Sequence, residues 1–244
     1  MNILVTAGNT QTPIDQVRCI TNIFTGRTGA SIALEAWKRS HAVTLLTSHP
    51  DVAEAQALPA EAVHCYRTFD DLHVAMADFV RRPSLDAVIH SAAVSDYRSA
   101  GVFAPANATQ FHEPDYHWES MTAEPPRLID VSAGKVKSDA LELWLRLVRT
   151  PKLVDLIRTN WAFRGVLVKF KLEVGVSDER LLEIAAKSRA QSAADLIVAN
   201  TLEDAASWAF AGPIDGTFHR IPRWTLAARL IEEVERLHRE RSNG

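Results

Sequence analysis

Apolar positions along this chain change period several times, and each change marks an element. Residues 2–7 open with Ile3-Leu4-Val5 and read as a strand buried on both faces. The run ends in small and polar residues, Thr6 to Thr10, with Gly8 among them. Residues 29–39 read as a helix, with Ile32, Ala33, Ala36 and Trp37 on its apolar face and Glu35, Lys38 and Arg39 turned away. His41 to Thr47 is β-rich and apolar. Strand, crossover helix and strand imply a parallel pair with a right-handed connection. A third strand is expected at 62–66, a helix at 70–81, and a fourth strand at 85–90 that runs into the small-residue end 91–98.

The pattern then lapses. Residues 99–134 hold Pro105, Pro114, Pro125 and Pro126, scattered aromatics, and no sustained period. A long irregular insertion is expected there, serving as a lid over the ligand crevice. Alternation returns at 141–149, where Leu141, Leu143, Leu145 and Leu147 fall on one side of a strand. Thr150-Pro151 predicts a helix start, Thr as the cap and Pro at the first helical position, with the helix running to about Trp161. Then follow a strand at 165–171, a helix at 178–193 capped by Ser177, and a buried strand at 195–200. A hairpin with Asp215-Gly216 at its turn and a closing helix at 224–239 complete the chain.

This order predicts an α/β fold. It is Rossmann-like, doubly wound and mainly parallel, in three α/β/α layers, with a long irregular flap at about 99–137. Residues 1–244 are expected to form one domain. Ligands in such folds sit beyond the carboxyl ends of the strands, so the 6–10 and 91–98 loops are expected to line one crevice.

Composition narrows the classes. A net charge of −3 gives no bulk electrostatic case for nucleic acid or an anionic membrane. No apolar run reaches the ~20 residues of a membrane-spanning helix, and no signal peptide is visible. Cys19 and Cys65 lack CxxC spacing, so no disulfide framework or structural zinc site is expected, and a reducing cytoplasm suits the chain. Cys19 reads as a small buried hydrophobe.

Candidate chemistry concentrates in the first thirty residues. Gly8 in one turn and Gly26 and Gly29 in a second flank a segment carrying Asp15, Arg18 and Asn22. Bare amides at a strand end and at a helix start make an anion site. Asn22 either holds a carbonyl or oxyanion or caps a turn, and the residues favour neither. Asp96 suits a metal-bound triphosphate, a ribose or a substrate amide, against a plain Asx-turn. Lys135 and Lys137 can close onto phosphate, against the default of a solvated lysine, and Lys187 reads as a surface lysine. His112 and His117, with Glu113 and Asp115, read as surface residues, because their spacing matches no familiar ligand set. GxGxxG, the P-loop, Tyr-x-x-x-Lys and Gly-x-Ser-x-Gly are all missing.

The blocks VTAGNTQTPIDQVRCITN with TGRTG, HSAAVSDY, KVKS, TPKLV, VKFKLEV and KSRAQSAADLIVAN occur in that order. Together they resemble phosphopantothenoylcysteine synthetase (phosphopantothenate–cysteine ligase) over nearly the whole chain, in the free-standing bacterial form without a decarboxylase part. The resemblance implies a ligase of coenzyme A biosynthesis. It would join 4′-phosphopantothenate to L-cysteine through an acyl-nucleotide, using CTP (ATP in eukaryotic members) with Mg²⁺ on the triphosphate. By resemblance Asn22 and Lys135 are the catalytic positions. Gly8, Gly26, Gly29, His90, Ser91, Ala92, Asp96, Pro151, Lys152, Leu153, Val154, Phe170 and Lys187 match nucleotide-site positions, and Asn22, Ala92, Ala93 and Asp96 face the acyl substrate. The resemblance also implies a homodimer, with 200–222 and parts of the lid as candidate interface. The chain departs from the family where Gly8-Asn9 replaces a glycine pair, where Phe24-Thr25 replaces two serines, and where Gln191 replaces a second nucleotide-site lysine. Competing readings are an NAD(P)-dependent short-chain-type oxidoreductase and a non-catalytic nucleotide-binding module. Tyr97 and Lys135 lack the spacing the former needs.

Overall fold

The computed structural model describes residues 1–243. In chain order the strands are β1 (Asn2–Ala7), β2 (Gln11–Pro13), β3 (Cys19–Thr21), β4 (Ala42–Thr47), β5 (Val63–Cys65), β6 (Ala87–His90), β7 (Tyr97–Pro105), β8 (Thr109–His112), β9 (His117–Ser120), β10 (Leu128–Asp130), β11 (Trp144–Arg149), β12 (Val166–Glu173), β13 (Leu196–Thr201), β14 (Trp208–Ile214) and β15 (Thr217–Pro222). The α-helices are α1 (Arg27–Lys38), α2 (Ala53–Gln56), α3 (Phe69–Val80), α4 (Leu153–Thr159), α5 (Asp178–Gln191) and α6 (Leu226–Ser242). They gather into two units, one of residues 1–10, 23–94 and 152–244, the other of residues 11–22 and 95–151.

The first unit is built on an eight-stranded sheet in the order β15-β14-β13-β12-β6-β1-β4-β5. From β13 to β5 every pairing is parallel, as helical crossovers require. The β14–β15 hairpin adds an antiparallel edge. Its turn residues Asp215 and Gly216 take φ of 49° and 80°, the positive pair a tight hairpin needs. Alternation along each strand makes the three layers. Ile3, Val5, Ile89, Val168 and Val198 share a cluster with α1 and α6. Leu4, Val88 and Leu167 pack with α3 and α4, and Ile197 and Ala199 pack with Leu181 and Ala185 of α5. Among the described residues no helix is long and apolar enough to cross a membrane.

Local chemistry sets the helix ends. Thr68 Oγ1 accepts from the Asp71 amide at 3.2 Å while Asp71 Oδ2 accepts from the Thr68 amide at 2.8 Å. This reciprocal cap on α3 contributes about 0.5–2 kcal/mol. Where α1 ends, Arg39 and His41 both bond Glu235 of α6, at 2.7 and 2.8 Å. The sequence placed Trp37 on the apolar face of α1, yet it is 43% exposed. The buried stripe stops at Ala36, and the last turn, Trp37 and Lys38, faces solvent with Arg39.

The second unit corrects the expectation of an irregular stretch at 99–134. It is a three-stranded antiparallel sheet, β10-β7-β11, with hairpins β2–β3 and β8–β9. β8, β9 and β10 are short and partly exposed, and the long β7 buries only Val102 and Ala104, so the alternation of a half-buried strand is weak here. The aromatics scattered in sequence converge: Phe111 lies 5.2 Å from Trp118 and 4.6 Å from Trp144. β11 starts at Trp144, three residues later than expected, and Leu141 is fully exposed. Thr150 does not cap a helix. Its amide and hydroxyl donate to the carbonyls of Asp96 and Ser95, at 2.9 and 2.7 Å, while α4 starts at Leu153 with Lys152 as its uncapped flank. Cys19, expected to be buried, is exposed because every residue of β3 is.

Glu235 yields a prediction. The Arg39 guanidinium, then His41, lowers its pKa from 4.5 to about 2. A depressed carboxyl stabilises the fold fully above the unfolded value and loses that effect as pH falls through about 2. Glu235→Gln should therefore cost about 1–2 kcal/mol at pH 7 in urea unfolding, with the deficit shrinking between pH 4.5 and 2.5. A deficit that stays constant over that interval would refute the assignment.

Candidate functional site

The site begins with two backbones in contact. Gly8, just past β1, has φ of 88°, and Gly26, the residue flanking α1, has φ of 79°. A Cβ on Gly26 would lie 2.2 Å from the Gly8 nitrogen and 2.7 Å from its Cα, so only glycine fits. One turn on, a Cβ on Gly29 would lie 2.5 Å from Ser91 Oγ and 2.7 Å from Ala7 Cβ. The start of α1 is thereby pressed onto the ends of β1 and β6. No side chain caps it.

The loop after β6 is tied to the loop after β1. Ala93 donates its amide to the Gly8 carbonyl at 2.8 Å, and Thr10 donates to the Ala93 carbonyl at 3.3 Å. Ser91 Oγ donates to the Thr6 carbonyl at 2.9 Å, and the Ala92 amide donates to Thr6 Oγ1 at 3.2 Å. The two loops expected to share a crevice are thus hydrogen-bonded to each other as far as Ala93.

A cavity of about 270 Å³ opens here, wholly within the first unit. Its wall is formed by Gly8, residues 24–29, 91–93 and 170–172, with Asn200, Ala205 and Arg223. The sequence-derived positions Gly8, Gly26, Gly29, Ser91, Ala92, Ala93 and Phe170 therefore meet. Two of the wall's cations are neutralised, Arg27 by Glu54 at 3.0 Å and Lys171 by Glu173 at 2.9 Å. Arg223 is not. It donates to Thr28 Oγ1 in the first turn of α1, and among the described residues it forms no ion pair. Burial lowers its pKa, so the protein bears a cost to keep this charge beside the helix start. An uncapped helix N-terminus and an unneutralised guanidinium both attract an anion, and the wall contains no carboxylate. The sequence reading missed Arg223. It lies 195 positions from Thr28, and nothing in its local sequence marks it.

The remaining positions in this unit lie elsewhere. His90 is buried, with Nδ1 2.8 Å from Thr6 Oγ1. Burial, and then the charge of Lys169, lowers its pKa to about 4, so it is neutral near pH 7. Leu153 and Val154 are core residues of α4, while Lys152 and Lys187 are exposed. Gln191, the departure noted in the sequence, donates to Asp155 Oδ2 at 3.0 Å. Ser192 donates to Asp155 Oδ1 and accepts from buried Lys169, both at 2.6 Å. Burial chiefly lowers the Lys169 pKa, to about 8.

Asn22, Asp96, Lys135 and Pro151 belong to the second unit. Asp96 is exposed, and Asn22 is half-buried just after β3. Lys135 is exposed on a loop that Asp15 and Arg18 clasp. The Val136 amide donates to Asp15 Oδ2 at 3.1 Å, Arg18 donates to the Val136 carbonyl at 2.7 Å, and the Gln16 amide donates to the Gly134 carbonyl at 3.0 Å. The Arg18 guanidinium, with the amides of Val17, Val136 and Arg18, holds the Asp15 carboxyl well below the usual range. The sequence named Asp15 and Arg18 without their partner, because the loop they hold is over a hundred residues away.

Residues 1–106 match the family model described as the DNA/pantothenate metabolism flavoprotein C-terminal domain. The coenzyme A biosynthesis bifunctional protein CoaBC of Thermococcus kodakarensis is 32% identical over 241 residues, 96% of this chain and 51% of that protein. This chain therefore spans about half the length of that relative. Phosphopantothenate–cysteine ligase 1 of Arabidopsis thaliana is 26% identical over 237 residues, covering 82% of this chain and 69% of the plant protein. The crystal structure of the DNA/pantothenate metabolism flavoprotein from Streptococcus pneumoniae superposes with a TM-score of 0.76 at 28% identity, covering 96% of this chain and 98% of that one.

The Asp15 clasp can be tested directly. Asp15→Asn removes the charge that strengthens the bonds holding this loop. Hydrogen–deuterium exchange at residues 134–136 should then rise about tenfold or more, with the β1 core unaffected. Unchanged exchange in that loop would show that it is held by other means.

Proposed function

We propose that this chain, a phosphopantothenoylcysteine synthetase-like domain, is a ligase that joins 4′-phosphopantothenate to L-cysteine at the expense of a nucleoside triphosphate. One observation carries the reading: an uncapped helix start, a glycine-only turn and the unneutralised Arg223 converge on one cavity without a carboxylate. That cavity suits phosphates rather than a metal cage. Mg²⁺ would come as part of the nucleotide substrate and would supply charge neutralisation on its phosphates.

The chemistry proceeds in two steps. The carboxylate of 4′-phosphopantothenate attacks the α-phosphorus, the bond to the bridging oxygen breaks, and pyrophosphate leaves with the electron pair. The amine of cysteine then attacks the acyl carbon, giving an amide, a nucleoside monophosphate and a proton released to solvent. The protein supplies no nucleophile. Its part is to position the reactants, compensate charge and exclude water. The first-turn amides of α1 and Arg223 hold phosphate oxygens. Asn22 holds the acyl carbonyl, and Lys135 offsets charge on the α-phosphate. Asp15 and Arg18 position Lys135 through the loop they clasp. CTP is the favoured nucleotide, ATP the alternative. The same reading implies a cytoplasmic homodimer with no nucleic-acid or membrane partner.

Pyrophosphate release is the assay, with 4′-phosphopantothenate, cysteine and each nucleoside triphosphate in turn. Release should require phosphopantothenate and be fastest with CTP. Arg223→Ala should raise the KM for nucleotide about 10–100-fold, the loss of one charge-assisted contact. Lys135→Ala should slow both steps, and Asn22→Asp should let the acyl-nucleotide accumulate in quenched reactions read by mass spectrometry. No substrate-dependent pyrophosphate with any nucleotide would end the proposal.

A further inference from the structure

Hairpin β8–β9 of the second unit carries a cluster that the proposed reaction does not use. Its strands pair with Phe111 opposite Trp118 and His112 opposite His117. Successive residues point to opposite faces, so the aromatic pair and the histidine pair lie on different sides of the ribbon. The aromatic side is packed: Trp144 stands 4.6 Å from both Phe111 and Trp118. The hairpin is therefore a supported element and not a loose loop.

On its other side the rings of His112 and His117 lie 5.1 Å apart. Asp115, in the connecting loop, brings a carboxylate oxygen to 3.2 Å from His112 Nδ1. One donor atom from each of the three residues falls within 4.8 Å of the others. His112 Nδ1 is buried and makes no aligned hydrogen bond. This nitrogen, the nearby carboxylate and the second imidazole sit close enough for one cation to bond all three.

We propose that His112, Asp115 and His117 form a binding site for a divalent transition metal, Zn²⁺ by preference, which staples the end of this hairpin. Two imidazoles and one carboxylate suit a borderline cation, whereas Mg²⁺ and Ca²⁺ take oxygen ligands. Tetrahedral Zn²⁺ with bonds of about 2.0–2.1 Å places its donors about 3.3 Å apart. Rotation of the exposed Asp115 and His117 side chains closes the remaining gap, and water fills the fourth position. The sequence spacing hid the site, because the ligands are brought together by the hairpin's register and by a loop containing Pro114.

The test uses the full chain without an affinity tag, freed of metal by chelator. Zn²⁺ is titrated calorimetrically, and Co²⁺ is followed by visible absorption as a report of nitrogen and oxygen coordination. The intact chain should bind one Zn²⁺ at this site. His117→Ala and Asp115→Asn should each weaken binding about tenfold or more, while Glu113→Gln leaves it unchanged. Asp115 and His117 are exposed, so these variants keep the fold, checked by circular dichroism. An intact chain that takes up no Zn²⁺, or a His112→Ala/His117→Ala variant that binds as well, would overturn the site. Neither result depends on pyrophosphate release, so this proposal and the ligase reading stand or fall separately.

Discussion

The structure turns on the approach of Gly26 to Gly8, where two backbones touch with no room for a Cβ. That contact sets where α1 begins. Since α1 begins there without a capping side chain, its first amides are left to whatever enters the cavity. Gly29 extends the same constraint by seating the first turn against Ser91 and Ala7. A larger residue at Gly26 or Gly29 would lift the helix start away from the sheet, and the cavity would lose its geometry. The departure at Asn9 is compatible with this. Its side-chain amide donates to the Phe24 carbonyl at 2.9 Å and helps hold the two turns together.

Charge pairing separates the two faces of the central sheet. On one face, the cavity keeps Arg223 unneutralised beside the helix start, while Arg27 and Lys171 are paired off. On the other, Lys169, Ser192, Gln191 and Asp155 form a closed hydrogen-bond network between β12, α4 and α5. Gln191 thus has a defined task in this chain, holding α5 to α4. His90 stands on that second face, neutral and bonded to Thr6, where it steadies the strand end that carries Ser91 and Ala92. Its contribution to the cavity is therefore through the backbone that follows it.

Much of this was legible in the sequence, for physical reasons. β1, β6 and β13 are buried along nearly their whole length, and a buried run between turn residues reads clearly. The glycine turns were legible because few residues tolerate such backbone angles. The second unit was not. Its strands are partly exposed, and an aromatic cluster drawn from positions 111, 118 and 144 joins the β8–β9 hairpin to β11. Thr150 misled because a hydroxyl that could cap a helix can equally bond the backbone of a neighbouring loop. Arg223 and the partner of Asp15 were hidden by distance along the chain, and the His112–His117 pairing by its dependence on register.

The central claim is that triphosphate is gripped by the start of α1. Backbone amide shifts in isotope-labelled protein, followed as Mg²⁺–CTP is added, test it most directly. The largest shifts are expected at Gly8, Gly26, Arg27, Thr28 and Gly29. Shifts confined to Lys152–Asp155 and Lys187, with the glycine turns silent, would contradict it.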